Sequence, residues 1–303
     1  MDALSSAEII EVGPRDGLQN EDTVLPVETK VDFIERLIAA GARRIEAVSF
    51  VHPHRVPQMA DADEVMASVP RLDDVTYAGL VLNRRGVERA LDAKVDEVNA
   101  VVVATDTFSQ RNQGTTTEEG LAVLSDIADL ARDAGVRATV TIAAAFGCPF
   151  EGTVSTGHVR ELVRRVADAG PAEIALADTI GVGLPTKVTE LVQKSREVTD
   201  IPLRFHFHNT RNTGYANATA AVMAGVSTLD SSCGGIGGCP FAPNATGNVA
   251  TEDLEYLLAG MGLRTGLDAD AVAMTGTWIG TQLGKPVPAL LGRAGPFPAG
   301  NTP

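Results

Sequence analysis

Short apolar runs rich in Val and Ile alternate along the chain with longer segments whose apolar positions recur at helical spacing, the pattern of repeated βα units around a parallel sheet. The strand-like runs are EIIEVG (8–13), RIEAVSF (44–50), VTYAGLVL (75–82), EVNAVVVA (97–104), RATVTIAAA (137–145), EIALAD (173–178), LRFHFH (203–208) and STLDSS (227–232). Between them lie helical segments such as VETKVDFIERLIAAGA (27–42), TTEEGLAVLSDIADLARDAG (116–135) and PTKVTELVQKSREV (185–198), with glycine or charged residues at their ends. Eight alternating units predict an α/β fold, a closed (β/α)8 or TIM barrel. The competing fold is an open doubly wound sheet, but no Gly-x-Gly-x-x-Gly follows the first strand. Residues 268–284 predict one extra C-terminal helix, followed by a short Pro/Gly-rich tail. The expected division is therefore a catalytic barrel with its extra helix over 1–285 and a tail over 286–303.

Length fits this reading, since 303 residues is within reach of a single barrel. Apolar residues at 44% supply a sizeable core. Charge narrows the partners: 25 Lys and Arg against 39 Asp and Glu give −14, which repels polyanions and argues against nucleic acid. An anionic substrate must then meet a local cationic pocket. The cysteines Cys148, Cys233 and Cys239 form no Cys-x-x-Cys pair, and an odd number suits reduced thiols. No basic leader, sorting tripeptide or membrane-length apolar run is visible, so a cytoplasmic protein with no membrane partner is expected.

In a barrel of this kind the site lies at the C-terminal ends of the strands. The first run ends in GPRDGLQNE with Arg15 and Asp16, the second holds Glu46 and Ser49, the sixth ends in Asp178, and the seventh carries His206 and His208. Residues i and i+2 of a strand face one side, so the two imidazoles share a space, and Asp16 at a neighbouring strand end adds a carboxylate. Two imidazoles, a carboxylate and an amide oxygen from the loop after the eighth run make a mixed N/O set suited to Mg²⁺ or Mn²⁺, with tetrahedral Zn²⁺ also compatible by ligand type. Arg15, always protonated, is placed to stabilise charge developing on a carbonyl oxygen.

Several segments occur together in one order: VGPRDGLQNE (12–21), IEAVSFVHPHRVPQMAD (45–61), FGCPFEG (146–152), ADTIGVG (177–183), FHFHNT (205–210) and GGIGGCPFAPNATGNVATEDL (234–254). Through them the chain closely resembles hydroxymethylglutaryl-CoA lyases, within a metal-dependent barrel superfamily that also holds isopropylmalate and homocitrate synthases and 4-hydroxy-2-oxoacid aldolases. The resemblance implies that Asp16, His206, His208 and Asn248 bind the divalent cation. It places Arg15 at the substrate carbonyl and makes Cys239 the catalytic thiol, with supporting roles for Glu46, Asp178 and Glu252. Gln19, Ser49 and Arg211 are expected beside an acyl-CoA substrate, and a homodimer is implied by the family alone.

The implied reaction cleaves a 3-hydroxy-3-methyl acyl-CoA, by analogy 3-hydroxy-3-methylglutaryl-CoA, into acetyl-CoA and acetoacetate. Its base is left open between His206 and Asp178, while a thiol near pKa ~8.5 is a reasonable acid for the acetyl-CoA enolate. Ala175, Arg211, Asn212, His54 and Arg55 depart from the family pattern and touch substrate identity rather than reaction type. Cleavage of citramalyl-CoA, a Claisen-type synthase, an aldolase and a non-catalytic barrel are the alternatives. The loop thiol and a tail of about 20 residues after the last helix, too short for a regulatory domain of the superfamily's synthases, favour cleavage. The motif Gly-Cys-Pro-Phe occurs at 147–150 and again at 238–241. The first copy reads as a fixed turn, and the second, among glycines that permit positive φ, as a closing loop that carries Cys239.

Overall fold

The computed structural model describes residues 4–238 and 247–295. Its framework is a closed, all-parallel barrel of eight strands: β1 (Glu8–Glu11), β2 (Arg44–Ser49), β3 (Thr76–Val81), β4 (Glu97–Val103), β5 (Arg137–Ala143), β6 (Ile174–Asp178), β7 (Leu203–Phe207) and β8 (Thr228–Ser231). Each pairs with its sequence neighbours, and β8 closes on β1 with Glu11 opposite Ser231. Each predicted run contains one of these strands. Gly147–Cys148 and Gly152–Thr153 form a small antiparallel hairpin after β5, so the first Gly-Cys-Pro-Phe copy is a fixed turn as expected.

Helices cover the outside because their apolar residues form one stripe. In α1 (Val27–Ala39) the buried residues Lys30, Phe33, Ile34 and Leu37 follow helical spacing. The helix Thr117–Asp133 begins with a capping box in which the Thr116 hydroxyl takes the Glu119 N–H and the Glu119 carboxylate takes the Thr116 N–H. Outward strand residues such as Ile45, Val98, Val140, Ile174 and Phe205 join these helix faces in one continuous apolar core. The expected extra helix spans Ala269–Leu283, N-capped by Asp268 and closed by left-handed Gly284. Its Trp278 packs beside Phe33 under the Arg36 guanidinium.

The stretch read as tail holds a further helical turn, Leu291–Ala294, whose entry is tied down by the Asp253 carboxylate through the Leu290 and Leu291 N–H groups. A single turn of four residues leaves no periodic signal in a sequence. Among the described residues no helix is long and apolar enough to cross a membrane.

Candidate active site

Barrels of this type usually fill their interior with branched apolar side chains; this one is ionic. Arg44, on β2, sits between two buried carboxylates, reaching Glu97 at 2.9 and 3.0 Å and Glu173 at 2.8 and 3.2 Å. Arg204, on β7, stands 3.5 Å from both Glu173 and Asp230. Charges this deep persist because each is surrounded by opposite ones. The network forms a floor, and the strand ends above it carry the predicted residues.

Beyond β1 the chain makes one wide helical turn, Gly13–Gly17, in which the Gly17 N–H reaches back to Val12 at 3.1 Å. That turn aims Arg15 and Asp16 at the barrel mouth. The Arg15 guanidinium bridges two carboxylates, donating Nε–H to Glu46 at 2.6 Å and Nη1–H to Asp16 at 2.5 Å, with Nη2 also against Glu46. The second Glu46 oxygen accepts the Asn99 amide at 2.8 Å, and Asn99 in turn accepts the Thr141 hydroxyl at 3.1 Å. Burial opposes the charge on Arg15, but Glu46 and Asp16 outweigh it and hold the guanidinium above its ordinary pKa.

Asp16, His206 and His208 each offer a ligand atom, all within 4.8 Å of one another. Burial acts against the Asp16 anion, yet Arg15, the two imidazoles and the Asn248 amide hold its carboxyl well below the usual range. His208 is pushed down to about 3 by burial and by its neighbour His206, so it is neutral with a lone pair free. His206 moves up: burial lowers it, and Asp230 and Asp16 overcome that.

Asn248 arrives from the far end of the chain. Backbone bonds from Asn209 to Gly247 and from Val249 to Phe207 stitch residues 247–249 to the end of β7. Its amide then donates to Asp16 at 2.8 Å and to the Ile236 carbonyl at 3.1 Å. Its Oδ1 and the Nδ1 of His208 are buried without a hydrogen-bond partner among the described residues. Two orphaned acceptors beside a carboxylate anion are what a hard divalent cation would satisfy, so the donor set fits one.

Ser49 reaches the site through a local irregularity. Glu46 and Ser49 have opposite strand parity, but a bulge between Glu46 and Val48 pairs them with Ala78 and Leu80, which share one face of β3. Ser49 then donates to Gln19 at 3.1 Å, bringing both predicted substrate residues to one side of the mouth. Arg211 lies exposed on the loop after β7 and gives Nη1–H to the carbonyls of Ile180 and Gly181.

Two expectations change. Asp178 pairs with Phe207 and so shares its face, whereas His206 pairs with Ala177. The Asp178 carboxylate accepts the Val182 and Gly183 N–H groups, both at 2.8 Å, and anchors the turn after β6. Both of its oxygens are thereby engaged by the backbone of that turn. His206 faces the interior, but its Nδ1 lies 3.3 Å from Asp230, leaving Nε2 as the one nitrogen toward Asp16. A single nitrogen serves a cation or a proton, not both at once. Glu252, at the start of the helix Thr251–Gly260, also stands apart from the cluster: it accepts the Gly234 N–H at 2.9 Å and packs against Gly276 of the extra helix.

Cys239 lies outside the described residues. Cys233 is packed core, its Sγ 3.4 Å from the Val272 carbonyl, and Cys148 is buried with its sulfur accepting from Thr105 at 3.1 Å. Sequence reasoning missed Asp230, Asn99 and Glu11. Glu11 takes the N–H groups of Gly13 and Cys233 and the Thr251 hydroxyl, so it joins the turn bearing Asp16 to the loop after β8. The available signal was a charged or amide residue inside an otherwise apolar strand.

A closed parallel barrel with an Asp-His-His cluster at its mouth defines a class of barrel with a candidate metal centre. Within it, the HMGL-like family model matches residues 6–279, and the chain belongs to that family. It is 45% identical to the (R)-citramalyl-CoA lyase of Chloroflexus aurantiacus, over 97% of this chain and 96% of that protein. It is 43% identical to the hydroxymethylglutaryl-CoA lyase of Pseudomonas mevalonii, over 93% and 94% respectively. A solved hydroxymethylglutaryl-CoA lyase from Acinetobacter baumannii, in complex with coenzyme A and 3-methylmalate, superposes with a TM-score of 0.92 at 37% identity, covering 98% of this chain and all of that one.

Proposed function

We propose that the protein is a divalent-cation-dependent carbon–carbon lyase that cleaves 3-hydroxy-3-methylglutaryl-CoA to acetyl-CoA and acetoacetate, acting as a homodimer. The Asp16–His206–His208 cluster directly beside Arg15, in an HMGL-like chain, carries the reading. Asp16, His206, His208 and the Asn248 amide oxygen would hold Mg²⁺ or Mn²⁺, which supplies Lewis acidity that lowers the pKa of a substrate hydroxyl.

The remaining work falls to the chain. The tertiary hydroxyl passes its proton to a solvent water at the barrel mouth, the adjacent C–C bond breaks toward the thioester, and the hydroxyl carbon becomes the ketone of acetoacetate. The electron pair passes to the acetyl-CoA enolate, whose oxygen meets Arg15, already charged and held in place by Glu46, so little reorganisation is needed as charge develops. The enolate carbon takes a proton from the Cys239 thiol. Ser49, Gln19 and Arg211 stand around the mouth for the acyl-CoA.

Similarity to a citramalyl-CoA lyase supports a second reading, the same cleavage of citramalyl-CoA to acetyl-CoA and pyruvate. The two substrates differ by one methylene, a difference a pocket discriminates by about 1–3 kcal/mol. Parallel assays with both thioesters decide between them. A higher kcat/KM for hydroxymethylglutaryl-CoA supports the first reading, and a higher value for citramalyl-CoA transfers it to the second.

A further inference from the structure

Asp230 has no part in the reaction outlined above, yet it is the point where the ionic floor meets the mouth. It pairs directly across the strands with His206, and its Oδ2 lies 3.3 Å from His206 Nδ1. The other ring nitrogen, Nε2, faces Asp16 at 3.9 Å. Below, Arg204 stands 3.5 Å from Asp230 and is itself held beside Glu173, which pairs with Arg44. His206, Asp230, Arg204, Glu173 and Arg44 are buried, and Asp16 is half-buried at the mouth. Imidazole has two nitrogens, and a neutral ring carries one proton, so a carboxylate at Nδ1 fixes both the tautomer and the ring plane.

We propose that Asp230 is a positioning residue for the cation site: it accepts the His206 Nδ1–H, leaves Nε2 as the nitrogen offered to the ion, and is itself held in place by Arg204. The inference rests on the reading of Asp16, His206 and His208 as cation ligands. It makes cation affinity a property of the barrel floor as well as of the ligands, and removing a carboxylate that supports a ligating imidazole typically costs about 10–100-fold in affinity.

The test is Mn²⁺ binding to chelator-treated full-length protein, read as free Mn²⁺ by electron paramagnetic resonance. Asp230→Asn, which keeps an acceptor but not the charge, is expected to bind about 10-fold more weakly, and Asp230→Ala up to about 100-fold more weakly. Should the alanine variant fail to fold, because Arg204 loses its partner, the asparagine variant decides. A folded Asp230→Asn protein with wild-type Kd overturns the role of Asp230 while leaving the cation site standing. Absence of Mn²⁺ binding by the wild-type protein overturns both.

Discussion

Asn248 donates its side-chain amide to Asp16 at 2.8 Å, joining the segment after the last barrel strand to the turn after the first. The bond spans almost the whole chain and closes the site the way β8 closes on β1. It orders Asp16, and Asn248 Oδ1 is buried without a hydrogen-bond partner among the described residues.

Replacing Asn248 with alanine removes both a donor to Asp16 and the oxygen proposed as a ligand. Its affinity for Mn²⁺ is expected to fall by about 10-fold or more, with catalysis lost at low cation and partly recovered at high cation. Activity titrated against Mn²⁺ checks this, and an unchanged midpoint would remove Asn248 from the ligand set.

Arg15 holds a fork that lysine cannot reproduce, since its guanidinium engages Glu46 through Nε and Nη2 and Asp16 through Nη1. For Arg15→Lys, kcat is expected to fall by about 10²–10³-fold with KM little changed, as for loss of one donor to a developing oxyanion. Steady-state kinetics separate the roles: a raised KM at unchanged kcat would make Arg15 a ground-state binder.

Glu252 and Glu11 form a buried acidic pair behind the loop after β8. Burial raises Glu252 to about 8 and Glu11 to about 7. Both folded values lie above the unfolded ones, so the folded protein binds more protons and this contribution is fully present below about pH 4.5. It is lost as pH rises from about 4.5 to about 8. Glu252→Gln keeps an acceptor for the Gly234 N–H but cannot ionise. Melting temperatures between pH 5 and 8 are expected to fall less steeply in this variant than in the wild type, and identical slopes would contradict the assignment.

Gly237 is pressed against the site at φ +93, where an added Cβ would lie 2.7 Å from the Asp16 carbonyl oxygen and from Gly17 Cα. Gly237→Ala therefore combines left-handed strain of about 1–3 kcal/mol with displacement of the Asp16 turn. A lowered melting temperature together with lost activity is expected. Gly157→Ala, at a helical position with open space around it, should leave both unchanged or raise stability slightly. Thermal melts and assays of both proteins test the contrast.

The barrel was legible because parallel strands buried on both faces leave runs of Val and Ile, and because amphipathic helices leave their own period between them. The Asp16–His206–His208 cluster was legible in part from the i, i+2 spacing of its two histidines. Ser49 was named for the right region, although parity alone would turn it away from Glu46; the bulge at Glu46–Val48 has no sequence signature of its own. The part Asp178 takes in the turn after β6 was not legible, because a position at a strand end says nothing of which face it takes. Asp230, Asn99 and Glu11 were passed over because the ends of strands were searched, while this interior is polar along its depth. Glu252 owes its environment to the extra C-terminal helix Ala269–Leu283, a packing partner no local pattern reveals.

The central claim is cation-dependent cleavage of a hydroxyacyl-CoA at the Asp16–His206–His208 cluster. The direct test incubates chelator-treated protein with 3-hydroxy-3-methylglutaryl-CoA or citramalyl-CoA, before and after restoring Mn²⁺, and measures acetyl-CoA together with the keto acid released. The account predicts no turnover without the ion and, with it, acetyl-CoA and acetoacetate in equal amounts from the first thioester. Failure to cleave either thioester with the ion restored, or cleavage indifferent to the ion, would contradict it.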